Sequence, residues 1–349
     1  MKKILVCWVL VLCLFAVGCS SSNETPAAEA PKPAEEAQTA PAEASGSTAS
    51  GSVNGAKIGI SINSLDSPSN FFEFEYCKKF ADEAGFEVVA TNAQGYAAGQ
   101  ATDIENLVTQ GCKVIIVLNG DTDGLTNVVS EAVSKGVKVI SLETGWIDGI
   151  SCMFEKGDFI NMAEVYIRMA AETGFEGEII TTGHNDHPAI RARVLVQNML
   201  LQEFTGIKRV NNVYTTYPGT QEVTYSGVET ALLANPNVVA IWATQDLEAL
   251  GALEACKAAG RNDIIICSEG NDATVLENIM NGGNIKYSYV ADLEWSCKKA
   301  VEVAADLVKG NSVQTWYQMP GEIVTHENAK QYYDKVVEMN KLFEEMKNK

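Results

Sequence analysis

The loop His184-Asn185-Asp186-His187 places two imidazoles and a carboxylate close together, and these are side chains that can bind a metal ion. Two histidines without a third ligand at a recognised spacing are more typical of a polar loop. Residues 121–124 have the composition of a calcium-binding loop but neither its length nor its closing glutamate. We therefore predict no metal site and no cofactor.

No segment has the spacing of a catalytic centre. The chain lacks the Gly-x-Ser-x-Gly nucleophile elbow, the phosphate-binding loop and the His-Glu-x-x-His zinc motif. A nucleophile, a base and an orienting group do not come together in the sequence. We therefore predict capture of a small molecule and regard an enzyme as the disfavoured alternative.

The overall charge limits the partners of this protein. The chain of 349 residues has a formal net charge of −19, which repels phosphate backbones, so we predict no binding to nucleic acid. The part from residue 56 onward is long enough for one large or two medium domains. Six cysteines of this part lack a Cys-x-x-Cys spacing, and we predict mostly free thiols at Cys77, Cys112, Cys152, Cys256, Cys267 and Cys297.

The first 55 residues predict export and attachment to a membrane. Lys2 and Lys3 precede an apolar run of 15 residues, which suits a signal peptide and is too short to cross a bilayer. The run ends in Ala-Val-Gly before Cys19, which resembles the lipobox of bacterial lipoproteins. We predict a signal peptide at residues 1–18, lipidation of Cys19, and a flexible linker at residues 19–55. An ordinary secretory signal is the alternative.

From residue 56 onward the chain repeats one unit, a β-branched strand followed by an amphipathic helix that ends at a glycine. The predicted strands are residues 57–62, 87–91, 114–118, 137–142, 178–182, 212–216, 238–243 and 264–268. The predicted helices are residues 71–84, 98–110, 125–134, 160–173, 188–204, 221–233, 247–259, 273–280 and 327–346. A polar interruption at residues 155–158 separates two runs of units. The pattern predicts two doubly wound α/β lobes with parallel sheets, and a ligand cleft beyond the carboxyl ends of the strands.

Four segments of this part resemble one protein family. Residues 58–63, 137–143, 240–251 and 264–270 are similar to the first strand and to the VPVI-x-x-D, AVFAxND-xxALGA and VVGFDG segments of sugar-binding proteins from ribose-type ABC importers. The resemblance extends over most of the chain from residue 56 to residue 324. It implies the fold of a type I periplasmic binding protein.

The resemblance also implies a domain organisation and a function. Chain crossings near residues 156–158, 291–293 and 320–322 would form a three-stranded hinge. The two lobes would be residues 56–157 plus 292–320 and residues 158–291 plus 321–349. The implied protein is a monomeric, extracytoplasmic lipoprotein that captures a small polar ligand, first of all a saccharide, by hinge closure and delivers it to an ABC permease. A sensor that presents its ligand to a chemoreceptor or a kinase is the alternative.

The resemblance transfers several candidate ligand contacts onto the first lobe. Asn63 and Ser67 match polar positions after the first strand, and Glu143 falls where the family has an aspartate that binds two sugar hydroxyls. Phe71 and Phe72 match the aromatic pair that flanks the sugar ring. The start of a helix that faces the core explains these two phenylalanines equally well.

The second lobe supplies the other matching positions. Arg191 and Arg193 begin a helix in a segment similar to the ARERG of the family, in which an arginine donates to sugar oxygens, and Arg193 is the better match. Tyr217 lies near the position of an aromatic residue of the cleft. Gln245 replaces an asparagine with a longer amide, and Glu269 replaces an aspartate.

Other positions depart from the family pattern. Thr144 falls where ribose-type proteins have an arginine, and Ala291 falls on a family glutamine for which the neighbouring Asp292 would substitute. Trp146 follows closely and is either a stacking residue or an exposed loop residue. Together these departures predict a more acidic and more aromatic pocket than a ribose site. A nucleoside or an amine-bearing ligand is therefore the alternative to a saccharide.

Overall fold

The computed structural model describes residue 53, residues 55–95 and residues 97–347 of the chain. The predicted signal peptide, the predicted lipidation site Cys19 and nearly all of the predicted linker lie outside these residues. Within the described part, no helix combines the length and the apolar composition that a membrane span requires.

Strands and helices alternate along most of the described chain. The strands are β1 (Lys57–Ile62), β2 (Glu87–Asn92), β3 (Val114–Leu118), β4 (Lys138–Leu142), β5 (Cys152–Glu155), β6 (Gly177–Gly183), β7 (Ile207–Tyr214), β8 (Val238–Trp242), β9 (Ile265–Glu269), β10 (Ile285–Ala291), β11 (Trp316–Gln318) and β12 (Gly321–Val324). The helices are α1 (Pro68–Glu83), α2 (Ala97–Thr109), α3 (Thr122–Ser134), α4 (Asp158–Glu172), α5 (Pro188–Glu203), α6 (Thr220–Ala234), α7 (Asp246–Ala258), α8 (Ala273–Met280), α9 (Leu293–Val308) and α10 (Ala329–Lys347).

The strands form two six-stranded sheets, each the centre of one lobe. The first lobe contains the order β11-β5-β4-β3-β1-β2, and all of its strand pairs are parallel. The second lobe contains the order β12-β10-β9-β8-β6-β7, in which only β12 runs antiparallel to its neighbour. The predicted fold class, two doubly wound α/β lobes, is confirmed.

The central strands explain where polar side chains can gather. Strand β3 reads Val-Ile-Ile-Val-Leu and is buried along its whole length, as expected for a parallel strand with helices on both faces of the sheet. An unpaired polar group on such a strand costs free energy, so few are expected there. Polar side chains therefore concentrate in the loops that follow the strands, where the two sheets face each other.

The chain crosses between the sheets three times, after β5, after β10 and after β11. Backbone hydrogen bonds join these crossings, because the Met319 amide donates to the Glu155 carbonyl at 2.8 Å and the Asp292 amide donates to the Pro320 carbonyl at 2.8 Å. Helix α9 returns to pack on α1 of the first lobe, whereas α4 packs on α5 and β10 of the second. Each lobe therefore combines separate parts of the sequence.

The C-terminal helix α10 contacts both lobes. It packs on α8 of the second lobe. Its Phe343 ring is only 2 % exposed and lies against Phe71, Phe72 and Tyr76 of α1 in the first lobe, with centroid distances of 5.8, 5.9 and 5.1 Å. We call these four rings the α1–α10 aromatic cluster. Helix α10 also lines a cavity of about 580 Å³ together with residues of the second and third crossings.

Six cysteines of the described part are buried and unpaired: Cys77, Cys112, Cys152, Cys256, Cys267 and Cys297. The prediction of free thiols is confirmed for them. Burial raises the pKa of Cys152 and of Cys256 to about 12, so these side chains remain protonated and act as small apolar groups.

Several elements differ from the predicted ones. Strands β5, β10, β11 and β12 and helix α9 were not predicted, and β7 begins at Ile207, well before the predicted strand at residues 212–216. Strands β7, β11 and β12 lie at sheet edges, where one side needs no apolar cover. Their mixed composition therefore hides the alternation on which strand prediction depends.

Candidate functional site

A cavity of about 260 Å³ lies between the two lobes, beyond the carboxyl ends of the strands. The first lobe and the first crossing line it with Asn63, Ser64, Ser67, Ser69, Asn70, Gly95, Asn119, Asp121, Glu143 and Lys156. The second lobe lines it with His184, Asp186, His187, Ala189, Ile190, Arg193, Tyr217, Gln245, Asp246, Leu247, Glu269 and Gly270. We call this cavity the cleft. Most of its lining residues have polar side chains, and its volume suits a small solute.

The loops after β3 and β4 present two of the lining side chains from an uncommon backbone conformation. Asn119 has φ of 52° and Glu143 has φ of 57°, and both are in the left-handed region that residues other than glycine seldom adopt. Thr144 fixes these loops, because its hydroxyl accepts from the Gly120 amide at 2.9 Å and donates to the Val117 carbonyl at 3.1 Å. Backbone strain of this kind concentrates at functional sites.

Six charged side chains form a buried ionic cluster at the base of the cleft: Glu73, Glu143, Lys156, Asp158, Arg193 and Glu269. Lys156 Nζ lies 2.8 Å from Glu143 Oε2, 3.5 Å from Glu269 Oε1 and 3.9 Å from Glu73 Oε1. Arg193 donates from Nε to Asp158 Oδ1 at 2.7 Å and pairs through Nη1 with Glu269 Oε2 at 2.6 Å. Glu269 therefore links both cations.

Burial changes the protonation of this cluster. It raises the pKa of Glu143 and of Glu73, although Lys156 acts in the opposite direction on both carboxyls. Burial alone would lower the pKa of Lys156, but Glu143, Glu269 and Glu73 together raise it well above its ordinary value. Lys156 therefore stays charged, whereas Glu143 and Glu73 keep their protons to a higher pH than ordinary carboxyl groups do.

Five buried polar atoms at the cleft have no hydrogen-bond partner among the described residues. Three are acceptors: Asn63 Oδ1, Glu143 Oε1 and Glu269 Oε1. The other two are His184 Nε2 and His187 Nε2. In each histidine Nδ1 accepts a backbone N–H, from Asp186 at 3.2 Å and from Ala189 at 3.3 Å, so the neutral ring carries its hydrogen on Nε2. A buried unpartnered polar atom is costly, and a ligand that pairs with these atoms removes that cost.

The sequence comparison agrees with this architecture. Residues 58–312 match the family model described as a periplasmic binding protein domain, which is more than half of the chain. The chain belongs to this family. It is 24% identical over 271 residues to the ribose import binding protein of Bacillus subtilis, covering 77% of this chain and 87% of that protein. It is 26% identical over 255 residues to the D-apiose import binding protein of Actinobacillus succinogenes, covering 71% of this chain and 80% of that protein.

Solved structures of similar fold include an ABC sugar transporter subunit from Rhodobacter sphaeroides, with a TM-score of 0.76, 23% identity, and coverage of 79% of this chain and 100% of that one. A solute-binding protein from Bacillus halodurans with bound myo-inositol has a TM-score of 0.74, 24% identity, and coverage of 82% of this chain and 99% of that one. These likenesses establish the fold of a periplasmic binding protein for this chain.

The periplasmic binding protein fold brings seven of the predicted ligand contacts into the cleft: Asn63, Ser67, Glu143, Arg193, Tyr217, Gln245 and Glu269. Arg193 is 2 % exposed and fixed by the ionic cluster. Tyr217 donates its hydroxyl to Gln245 Oε1 at 2.8 Å and lies edge-on to the His184 ring. Among the described residues that line the cleft, Tyr217 is the only tyrosine, phenylalanine or tryptophan.

The six other predicted contacts do not line the cleft. Phe71 and Phe72 belong to the α1–α10 aromatic cluster, so the helix-core interpretation fits them. The Thr144 hydroxyl hydrogen-bonds to backbone groups of its own lobe.

Trp146 is 47% exposed and donates Nε1 to Asp148 Oδ1 at 3.3 Å. Arg191 donates to the Asn185 carbonyl at 2.8 Å on the protein surface. Asp292 caps α9 by accepting from the Trp295 amide, and it lines the cavity beside α10. None of these three has a place in the cleft lining.

The cleft lining also includes residues that were not predicted as ligand contacts, among them Asn119, Lys156, His184 and His187. Asn119 follows β3 directly, so the rule that placed Asn63 and Glu143 after their strands could have found it. The two histidines were recognised only as a possible metal loop, and the described residues hold no group suited to a metal. Lys156 lies in the polar interruption at residues 155–158, which was interpreted as a boundary and as a hinge crossing but not as a source of ligand contacts.

Proposed function

We propose that this protein is the solute-binding lipoprotein of an ABC importer and that its cleft captures one small saccharide or polyol. The protein would be a monomer that binds without turnover and delivers its ligand to a membrane permease. Lipidation of Cys19 would attach it to the outer face of the cell membrane. Incorporation of a radiolabelled fatty acid, lost in Cys19→Ser, tests the attachment separately from ligand binding.

The observation that carries the proposal is the set of unpartnered atoms at the cleft. Three acceptors, on Asn63, Glu143 and Glu269, lie with two imidazole N–H donors, on His184 and His187. A hydroxyl group both donates and accepts, so a compact ligand with several hydroxyls can satisfy both sets at once. An aliphatic or purely aromatic ligand would leave them unpaired, at a cost for each buried atom.

The distribution of these atoms supports capture by closure. Asn63 and Glu143 belong to the first lobe, whereas His184, His187 and Glu269 belong to the second. The lobes also touch directly, because the Asn271 amide donates to Ser69 Oγ at 3.3 Å. A ligand that contacts both lobes stabilises the closed arrangement over any open one.

The character of the lining favours a hydroxylated ligand over a nucleoside. The cleft lining does not include Phe71, Phe72 or Trp146. Among the described side chains of the lining, no second phenyl, phenol or indole ring is therefore available to sandwich a ligand with Tyr217. A planar base gains most from stacking between two rings. The relatives agree, since they are named for import of ribose and D-apiose, and one similar structure contains myo-inositol.

Isothermal titration calorimetry with D-ribose, D-glucose, D-galactose, sorbitol and myo-inositol tests the proposal. We expect one or more of these compounds to bind, with the affinity at least ~10-fold weaker in His187→Ala, because a donor to the ligand is removed. Mass spectrometry of the recovered compound should find it unchanged. Absence of binding to every hydroxylated compound, with a nucleoside binding instead, would contradict the proposal.

A further inference from the structure

Lys156 differs from every other residue of the cleft in its position, because it lies in the first crossing between the lobes. The Glu155 carboxylate accepts from the Gly157 and Asp158 amides at 2.8 and 3.0 Å, and Asn161 donates to the Lys156 carbonyl at 2.6 Å. The backbone is therefore held on both sides of Lys156. Its side chain is 4 % exposed and extends into the ionic cluster.

The ammonium group of Lys156 binds carboxylates from both lobes. Its distances are 2.8 Å to Glu143 Oε2 of the first lobe and 3.5 Å to Glu269 Oε1 of the second. Both glutamates line the cleft, and Glu143 Oε1 has no hydrogen-bond partner among the described residues. A ligand group that binds either carboxylate would therefore lie within a few ångströms of a fixed positive charge.

We propose that Lys156 determines the charge of the ligand, by supplying from within the protein the cation that the acidic cleft requires. The inference rests on the proposed function and deepens it. The cleft then accepts a neutral polyhydroxylated solute and rejects the analogue in which an ammonium group replaces a hydroxyl. A hydroxyl can donate to Glu143 Oε1 beside Lys156, whereas an ammonium placed there is repelled by Lys156 in a poorly screened environment.

The excess of carboxylates over cations does not oppose this inference. The cluster has four carboxyls, Glu73, Glu143, Asp158 and Glu269, and two cations, Lys156 and Arg193. Burial raises the pKa of Glu73, Glu143 and Asp158, so the cluster carries less negative charge at a given pH than four ordinary carboxyls would. His184 and His187 add no charge, since burial lowers the pKa of both.

Matched pairs of ligands test the inference on the unmodified protein. Calorimetry compares D-glucose with D-glucosamine and D-galactose with D-galactosamine, at a pH where both amines are protonated. We expect the neutral member of each bound pair to bind at least ~10-fold more tightly than its amine. Equal affinities, or tighter binding of the amine, would overturn the inference while leaving the proposed capture of saccharides in place. Failure of every neutral sugar and polyol to bind would overturn the proposed function itself.

Lys156→Met then assigns the selectivity to this residue, because methionine keeps an unbranched apolar stem and removes the charge. We expect the ratio of neutral to amine affinity to fall at least ~10-fold in Lys156→Met and to be preserved in Lys156→Arg. Lys135→Met removes an exposed lysine directly after α3 and is the matched control. The ratio is measured within one protein, so a general loss of stability cancels. An unchanged ratio in Lys156→Met, or in the equally uncharged Lys156→Gln if the methionine variant does not fold, would overturn the assignment.

Discussion

The cleft and the α1–α10 aromatic cluster connect the same two lobes by different chemistry. In the cleft, buried charges bridge the lobes and five polar atoms lack hydrogen-bond partners within the described part of the chain. In the aromatic cluster, Phe343 of α10 is surrounded by the rings of Phe71, Phe72 and Tyr76. The first contact consists of polar groups that do not all pair with one another, and the second consists of rings that pack on one another. The comparison therefore separates residues that we propose bind a ligand from residues that stabilise the fold.

Arg193→Ala should have the largest effect. The substitution leaves Asp158 and Glu269 buried without their guanidinium partner, so we expect a loss of about 3–5 kcal/mol in the free energy of unfolding. It should also weaken ligand binding at least ~100-fold, because Glu269 loses its orientation. Urea denaturation and calorimetry measure the two effects. Arg191→Ala is the matched control on the same helix, and an equal effect of both substitutions would contradict the role of Arg193.

Phe343→Ala should destabilise the protein without a comparable loss of binding. Removal of this buried ring leaves a cavity among three other rings, so we expect a loss of about 3–5 kcal/mol in the free energy of unfolding. The affinity for a bound sugar should change by less than ~3-fold under conditions in which the variant is folded. Phe343→Leu should recover much of the stability. A parallel loss of affinity in both variants would mean that α10 also controls closure of the cleft.

This contrast shows which parts of the structure could be predicted from sequence. Strands β1 and β3 lie at their predicted bounds, since runs of β-branched residues buried on both faces leave little ambiguity. Helix α9 was not predicted, and the polar edge strands were missed or misplaced. The position of a side chain at or directly after the end of a strand drew attention to Asn63, Glu143 and Glu269, which all line the cleft, because this is a local rule.

The remaining site residues depend on contacts between distant segments. From the sequence alone, Phe72 at the start of a helix could face either a ligand or the core. Its contact with Phe343, near the other end of the chain, places it in the core. Lys156 enters the cleft only because the three crossings meet beside the ends of both sheets. The hydrophobic periodicity of the sequence predicts neither the Phe72–Phe343 contact nor the meeting of the crossings. A residue in a chain crossing is therefore as strong a candidate for a ligand contact as a residue that follows a strand.

The protonation of His187 should make the cleft sensitive to acid. Burial lowers its pKa from the ordinary 6.5 to about 3, so between these values the unfolded chain binds a proton that the folded protein does not. Stability from this residue is complete above pH 6.5 and decreases as the pH falls toward 3. We expect the free energy of unfolding of the unmodified protein, relative to His187→Gln, to fall by roughly 1–3 kcal/mol between pH 7 and pH 4.

Urea denaturation of both proteins across this pH range measures the difference. His326→Gln removes an exposed imidazole outside the cleft and is the matched control. The comparison between variants is necessary because Glu73 and Glu143 of the ionic cluster titrate in the opposite sense, since burial raises the pKa of both. A difference that is independent of pH would mean that the folded protein already carries a charged imidazole at this position.

Trp146→Ala should have the smallest effect. This side chain is 47% exposed, hydrogen-bonds to Asp148 and does not line the cleft, so we expect the free energy of unfolding to change by less than about 0.5 kcal/mol. The affinity for a bound sugar should change by less than ~3-fold. Trp316→Ala, at a similarly exposed residue of β11, is the matched control. The neighbouring Gly145 packs near Pro188 of the second lobe, so Trp146 stands where the lobes approach each other. A loss of affinity above ~10-fold, absent in Trp316→Ala, would therefore place Trp146 over the bound ligand and extend the recognition surface beyond the cleft.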